Sequence, residues 1–312
     1  MRIVFMGTPE FAVESLKILV ENKYNVVGVI TMPDKPSGRG HKLQSSAVKL
    51  YAIEHNLPVL QPEKLKDESF LEELKNLNAD LQIVVAFRML PEVVWNMPKF
   101  GTFNLHGSLL PQYRGAAPIN WAIMNGENET GATTFFLTHE IDTGKIILQE
   151  KLKIGDDDNA GTIHDKLMVV GAGLVKKTVD LLMEGKIEGI DQSQFVTTHT
   201  ELKPAPKIFK ETCEINFSYT IESIHNFVRG LSPYPAAWTE VQFPNQTEKM
   251  ILKVYETEKE PEVHNLPTGT LVTDGKKFAK IALKDGFIHL KTVQVAGKKR
   301  MDIGELLRGM RI

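Results

Sequence analysis

Over the first two-thirds of the chain, short apolar runs rich in β-branched residues alternate with segments whose apolar residues recur at helical spacing. That alternation admits few folds. Residues 2–7 are one such run, after which Phe11, Val13, Leu16, Leu19 and Val20 recur at helical spacing, and Pro9 suits the first turn. Residues 25–31 return to a β-branched run. Asp67 stands as N-cap before Phe70, Leu71, Leu74 and Leu77, residues 81–87 form a continuous apolar strand, and residues 101–106 form another. Strands alternating with helices predict an α/β fold, a Rossmann-like and mostly parallel sheet with helices on both faces. Gly7 stands alone where a dinucleotide fingerprint would need Gly-x-Gly-x-x-Gly, so nicotinamide binding is not expected. Ligands of such sheets lie beyond the carboxyl ends of the strands. His106 and the Phe87-Arg88 pair fall at two of those ends, and so both abut one crevice.

Residues 103–118, FNLHGSLLPQYRGAAP, concentrate reactive chemistry. Asn104 and His106 are two apart, so on a strand they share a face. An amide donor beside a titratable ring suits a carbonyl that becomes tetrahedral, because both can hydrogen-bond an oxygen gaining negative charge. By spacing alone, such a pair is usually no more than a hydrogen-bonded strand end.

The run Asn104-Leu105-His106-Gly107-Ser108-Leu109-Leu110-Pro111, continued by Tyr113-Arg114-Gly115-Ala116-Ala117-Pro118, resembles the signature of the formyltransferases that use 10-formyltetrahydrofolate. Its Arg-Gly-Ala-Ala-Pro-Ile form resembles the methionyl-tRNA formyltransferase branch. The resemblance implies 10-formyltetrahydrofolate as formyl donor, methionyl initiator tRNA as acceptor, and a catalytic Asn104–His106–Asp142 set. Asp142 lies in the Asp-Thr-Gly turn of residues 142–144, where aspartate is also favoured for purely local reasons. Ser108, Leu109, Leu110 and Pro111 resemble the family's folate contact. Residues 86–91, Ala-Phe-Arg-Met-Leu-Pro, depart from the usual Ala-Tyr-Gly before Ile-Leu-Pro. They resemble instead the pterin-cradling segment of the sister enzyme that acts on glycinamide ribonucleotide, which implies cofactor-binding roles for Arg88 and Leu90. His139 is read as a surface residue or one that backs the site from behind.

Residues 32–46, MPDKPSGRGHKLQSS, combine proline, glycine and basic side chains and cannot form a helix. They read as a mobile basic loop, of the kind that is commonly functional. The resemblance implies that this loop engages the acceptor end of the tRNA, with Arg39 and Lys42 as contacts. It also implies that Lys207, in Ala-Pro-Lys-Ile, meets a phosphate.

A helix over residues 162–183 closes the catalytic domain, taken as residues 1–185. An irregular linker, residues 186–206, follows. Short β runs then recur between Gly-containing turns, which predicts a small closed barrel over residues 207–312. In the family this is an oligonucleotide-binding-like (OB-like) tRNA-binding domain. Residues 204–312 carry 16 Lys and Arg against 13 Asp and Glu within a chain of net charge −2, a balance compatible with a polyanionic partner. Lys276, Lys277, Lys280, Lys298, Lys299 and Arg300 would provide the basic edges. Residues 232–238 read as a rigid packing corner.

No apolar run approaches the roughly 20 residues of a spanning helix, and residues 1–10 read as a strand and turn rather than a signal peptide. One cysteine, Cys213, excludes an internal disulfide, and no Cys/His cluster has metal-ligand spacing. A cytoplasmic, metal-free monomer is expected. Two other readings remain: a folate-dependent enzyme acting on a sugar-nucleotide amine or on formyltetrahydrofolate itself, and a non-catalytic RNA-binding protein.

Overall fold

The alternation resolves into a seven-stranded sheet in the computed structural model, which describes residues 1–37, 42–197, 201–244 and 246–310. The order along the chain is β1 (Arg2–Gly7), α1 (Glu10–Glu21), β2 (Asn25–Ile30), β3 (Lys35–Ser37), β4 (Lys42–Gln44), α2 (Ala47–Glu54), β5 (Val59–Leu60) and α3 (Glu68–Asn76). Then come β6 (Leu81–Val85), α4 (Glu92–Trp95), β7 (Thr102–His106), α5 (Pro118–Met124), β8 (Glu129–Phe136), β9 (Ile146–Lys153) and α6 (Ala160–Met183). The sheet runs β5-β2-β1-β6-β7-β8-β9, with β5, β2, β1, β6 and β7 parallel and β8 antiparallel to β7. From β1 the chain first builds outward to β2 and β5, then returns to the other side of β1 with β6 and β7. The switch point is therefore at the carboxyl ends of β1 and β6, where the rule for open α/β sheets puts a ligand crevice.

Local chemistry accounts for these elements. Phe11, Leu16 and Leu19 of α1 are buried, as their helical spacing requires. Asp67 occupies the N-cap of α3, although its side chain makes no capping hydrogen bond. The lone Gly7 ends β1 for a packing reason: a Cβ there would sit 2.7 Å from Ala12 Cβ and 3.1 Å from the Val85 carbonyl oxygen. Val4, Met6, Ile30, Phe70, Leu74 and Val84 form an apolar core between sheet and helices.

The segment read as an irregular loop at residues 32–46 contains two short strands. β3 and β4 pair antiparallel as a two-stranded ribbon, with Pro36 opposite Leu43. Proline is admitted there because both strands of a ribbon are edges. The Asp34 carboxylate accepts from Lys49 Nζ at 2.6 Å and Gln61 Nε2 at 3.0 Å, and those donors hold its pKa below the usual carboxylate range.

The chain forms two compact units. The first comprises Met1–Gly115, Thr130–Lys153 and His164–Pro204; the second comprises Ala116–Glu129, Ile154–Ile163 and Ala205–Ile312. Beyond Pro204 the second unit contains α7 (Ile221–Leu231), β10 (Ala237–Val241), β11 (Met250–Pro261), β12 (Leu271–Thr273), β13 (Ala279–Leu283), β14 (Gly286–Val295), β15 (Met301–Asp302) and α8 (Ile303–Met310). Its antiparallel strands follow β10-β11-β14-β13-β12, and β15 pairs with β14 further along the edge that β13 occupies. The expected barrel is thus a curled half-barrel, and among the described residues its pairings trace an open path. Two register shifts near Glu256 in the long β11 coil the sheet. Ile224, Val228 and Leu231 of α7 fill the concave side against Leu252, Val254 and Leu290. At the Pro-rich corner, the bonds before Pro233 and Pro235 are cis. No described helix is long and apolar enough to cross a membrane.

Candidate active site

β6 and β7 lie side by side with Val84 opposite Asn104 and Val85 opposite Leu105, so the end of β7 opens beside the switch point. Asn104 is half-buried and His106 is 6% exposed. Being two residues apart on one strand, they face the same way. Past β7 the chain turns sharply, and Tyr113 adopts a left-handed conformation (φ 59°). His106 Nε2 donates to the Tyr113 carbonyl at 2.8 Å. Because a carbonyl can only accept, this bond assigns the ring proton to Nε2. The edge of Phe135 packs on the imidazole, with centroids 6.4 Å apart and planes at 87°. The remaining nitrogen, Nδ1, faces Asp142.

Asp142 sits in the turn between β8 and β9 with φ 56°, a left-handed conformation that aspartate tolerates better than most residues. Two residues on, Gly144 is required: a Cβ would lie 1.6 Å from the Phe136 carbonyl oxygen. Asp142 Oδ2 stands 3.8 Å from His106 Nδ1 and accepts the Gly115 N–H at 2.9 Å. A 3.8 Å gap is too long for a hydrogen bond yet close enough for direct ionic attraction. The carboxylate thus stands beside the imidazole, and Asn104 lies two residues before that ring on β7.

The Ser108–Pro111 loop is held from below. Ser108 is fully buried, and its Oγ donates to the Gln112 carbonyl at 2.6 Å. Thr133 Oγ1 donates to the Ser108 carbonyl (2.6 Å) and accepts the Leu110 N–H (3.1 Å), while Gln149 Nε2 donates to the Leu110 carbonyl (2.8 Å). Leu110 is buried with Phe135 and Ile146, and Leu109 packs over Gly131, where a Cβ would come within 2.5 Å of it. Pro111 is buried and follows a cis bond.

Arg88 and Leu90 lie between β6 and α4. The Arg88 guanidinium donates to the carbonyls of Glu63 (2.7 Å) and Pro62, and burial pushes its pKa down. Two of its five donors are thus spent on the protein, and its buried Nε has no hydrogen-bond partner. Leu90 is buried with Val4, Met6 and Val94. A cavity of about 320 Å³ lined by Leu60, Gln61, Pro62, Glu63, Phe70 and Glu73 includes none of Asn104, His106 or Asp142. His139 is well exposed and pairs with Glu92 at 3.5 Å. Arg39 and the side chain of Lys42 lie outside the described residues. Lys207 belongs to the second unit, exposed, with Nζ 5.5 Å from the Phe209 ring centre.

Sequence reasoning did not assign Thr133, Gln149 or Gln192. The first two look like ordinary members of alternating strands. Gln192 is in the connector, at the start of a 3-10 turn (Gln192–Phe195), and only its contacts reveal it. In the second unit, Lys280 is not the free cation expected. It bonds Glu260 at 2.7 and 2.9 Å and lies 3.8 Å from the Phe287 ring centre.

The family model described as formyl transferase matches residues 1–178, and that described as formyl transferase, C-terminal domain, matches residues 207–311. The chain belongs to the formyl transferase family. Its relatives include the methionyl-tRNA formyltransferases of Parabacteroides distasonis, 64% identical over all of this chain and 96% of that one, and of Porphyromonas gingivalis, 51% identical over 99% and 95%. Among solved structures, an N-formyltransferase from Helicobacter canadensis in complex with folinic acid and dTDP-3-aminofucose shares the fold, with TM-score 0.66 and 22% identity over 92% of this chain and 98% of that one. HypX from Aquifex aeolicus in complex with tetrahydrofolic acid does so with TM-score 0.62 and 18% identity, over 98% and 47%.

Proposed function

We propose that this chain transfers the formyl group of 10-formyltetrahydrofolate to the α-amine of methionyl initiator tRNA, the formylation that precedes translation initiation. Full-length identity to methionyl-tRNA formyltransferases above 60% carries the reading. The arrangement of Asn104, His106 and Asp142 supports the chemistry. The methionyl amine must be neutral to attack the formyl carbon. As the new C–N bond forms, the formyl oxygen takes up negative charge, and two donors serve it: the Asn104 amide and a protonated His106 Nδ1. The Nε2–H is spent on Tyr113, so only Nδ1 is available for this task. Asp142 supplies the counter-charge to the imidazolium and accepts the amine proton, directly or through a water. The tetrahedral centre collapses as the bond to the folate nitrogen breaks, and that nitrogen leaves with the proton Asp142 took from the amine, which regenerates the carboxylate.

The donor is a substrate rather than a resident group. Ser108–Pro111, Arg88 and Leu90 would bind it; the Ser108 carbonyl and both backbone groups of Leu110 are already bonded within the protein, so that loop would contact it through its remaining groups. Catalysis is assigned to residues 1–185 and the grip on RNA to residues 207–312, joined by residues 186–206, with Arg39, Lys42 and Lys207 as tRNA contacts. One copy carries every residue named, so a cytoplasmic monomer suffices. The test is an assay of formyl transfer to methionyl initiator tRNA beside a bare amino-sugar nucleotide. Transfer to tRNA is expected; transfer to the sugar and none to tRNA would overturn the reading.

A further inference from the structure

One buried amide joins the turn that carries Asp142 to the loop that holds His106. Gln192 is 3% exposed. Its Nε2 donates to the carbonyls of Asp142 at 2.9 Å and Gly144 at 2.8 Å. Its Oε1 accepts from Arg114 Nε at 3.1 Å and from the terminal guanidinium nitrogen at 2.6 Å. Two donors and two lone pairs are all an amide has, so the group is saturated. Arg114 follows Tyr113, whose carbonyl accepts from His106, and precedes Gly115, whose N–H donates to Asp142. A closed circuit therefore runs from His106 through Tyr113, Arg114 and Gln192 to Asp142, around the 3.8 Å gap between imidazole and carboxylate.

The connector holds Gln192 in place from its own side. Ile190 and Ile146 exchange both backbone hydrogen bonds, at 2.7 and 2.8 Å. Asp191 Oδ1 accepts the Ser193 N–H at 2.9 Å and begins the 3-10 turn on which Gln192 stands. Its carboxyl is held below the usual range by the Ser193 hydroxyl and N–H.

We propose that Gln192, acting with Arg114, is a positioning residue that sets the separation of His106 and Asp142. The proposal rests on the reading above that those two groups serve formyl transfer. Without the amide, two carbonyls of the turn lose their donor and the guanidinium loses its acceptor. The Asp142 turn then relaxes, and a misplacement of about 1 Å costs on the order of 100-fold in rate.

Gln192→Ala should lower kcat by roughly 10- to 100-fold while KM for folate and for tRNA changes less than about twofold. Gln192→Glu keeps an oxygen for Arg114 but sets carboxylate against two carbonyls, and it should fail similarly. Combined with Asp142→Asn, Gln192→Ala should add little, because both act through one carboxylate. Hydrogen exchange at the Gly115 amide should quicken about tenfold or more, with the amides of β6 and β7 unchanged. Wild-type kcat in Gln192→Ala, losses that multiply with Asp142→Asn, or unchanged Gly115 exchange would each overturn the proposal. If Gln192→Ala loses its cooperative thermal transition, Arg114→Lys, which removes the fork and keeps the charge, is read in the same way. A wild-type chain that formylates no tRNA would sink the functional reading alone, since exchange at Gly115 reports on the circuit without turnover.

Discussion

Around His106 the hydrogen-bond partners are dipoles, whereas across the curled sheet of the second unit they are ions. In the first unit the Tyr113 carbonyl, the Gly115 N–H, Thr133, Gln149 and the Gln192 amide fix the loop of residues 107–115 and the turn of Asp142. In the second, Lys280 and His289 bond Glu260, Lys291 bonds Glu258, and Lys259 bonds Glu222. Buried neutral dipoles are directional and insensitive to salt, so they suit the placing of atoms on a reacting carbon. Exposed ion pairs contribute on the order of 0–1 kcal/mol each and are screened by salt. Their larger consequence here is to withdraw lysines from the surface field. Among the described residues, the ion pairs of this sheet engage Lys259, Lys280 and Lys291 and none of the exposed Lys276, Lys277, Lys298 or Lys299.

The contrast fails if precise dipoles in the first unit prove dispensable. Asn104→Ala should lower single-turnover formyl transfer by about 100- to 1000-fold, the usual loss for an oxyanion donor, with the circular dichroism of the folded chain retained. Near-normal turnover would remove Asn104 from the reaction. A smaller effect probes the second unit. Replacing Lys276, Lys277, Lys298 and Lys299 by alanine should weaken tRNA binding about tenfold or more. It should also flatten the dependence of log affinity on log salt by about one unit for each phosphate no longer neutralised, leaving kcat alone. Lys280→Ala should barely move that slope, because its charge is already neutralised; an equal loss would mean the ion pair opens on RNA.

The smallest effect concerns acid. Lys280, and then His289, hold the Glu260 carboxyl at about 2, and the backbone N–H groups of Lys277, Lys276 and Phe278 hold Asp274 at about 2. Both folded values lie below the unfolded values of roughly 4. Their stabilisation is therefore complete above that range and is lost as pH falls through about 2. The second unit should weaken over this window, and Lys280→Met together with Asp274→Asn should blunt the pH dependence. Far-ultraviolet circular dichroism followed from pH 6 to 2 reads it.

What could be read from the chain divides along the same line. The parallel sheet was visible because burial on both faces writes near-continuous apolar runs, as in residues 81–85, where Gln82 is the one polar member. The common face of Asn104 and His106 was visible because a two-residue spacing settles it without any distant partner, whereas their role, with Asp142, was legible only through the resemblance of the 104–118 motif. Gln192 was not, since its role depends on Ile190 pairing with Ile146, and nothing in Asp-Gln-Ser-Gln announces that bridge. Lys280 misled for a related reason. Its neutralisation arises across the strands, where Lys280 stands opposite His289 and His289 opposite Glu258, with Glu260 reaching both basic groups. The ribbon at β3 and β4 and the open path of the half-barrel likewise depend on register, which a count of turn residues does not reveal.

The bond from His106 to the Tyr113 carbonyl has one more outcome. A ring anchored by one nitrogen cannot relay charge from one side of itself to the other, so whatever hydrogen it gains at Nδ1 must depart from Nδ1. Under the formyl transfer proposed above, any such proton would come and go on the Asp142 side of the ring, with no internal wire needed behind the imidazole.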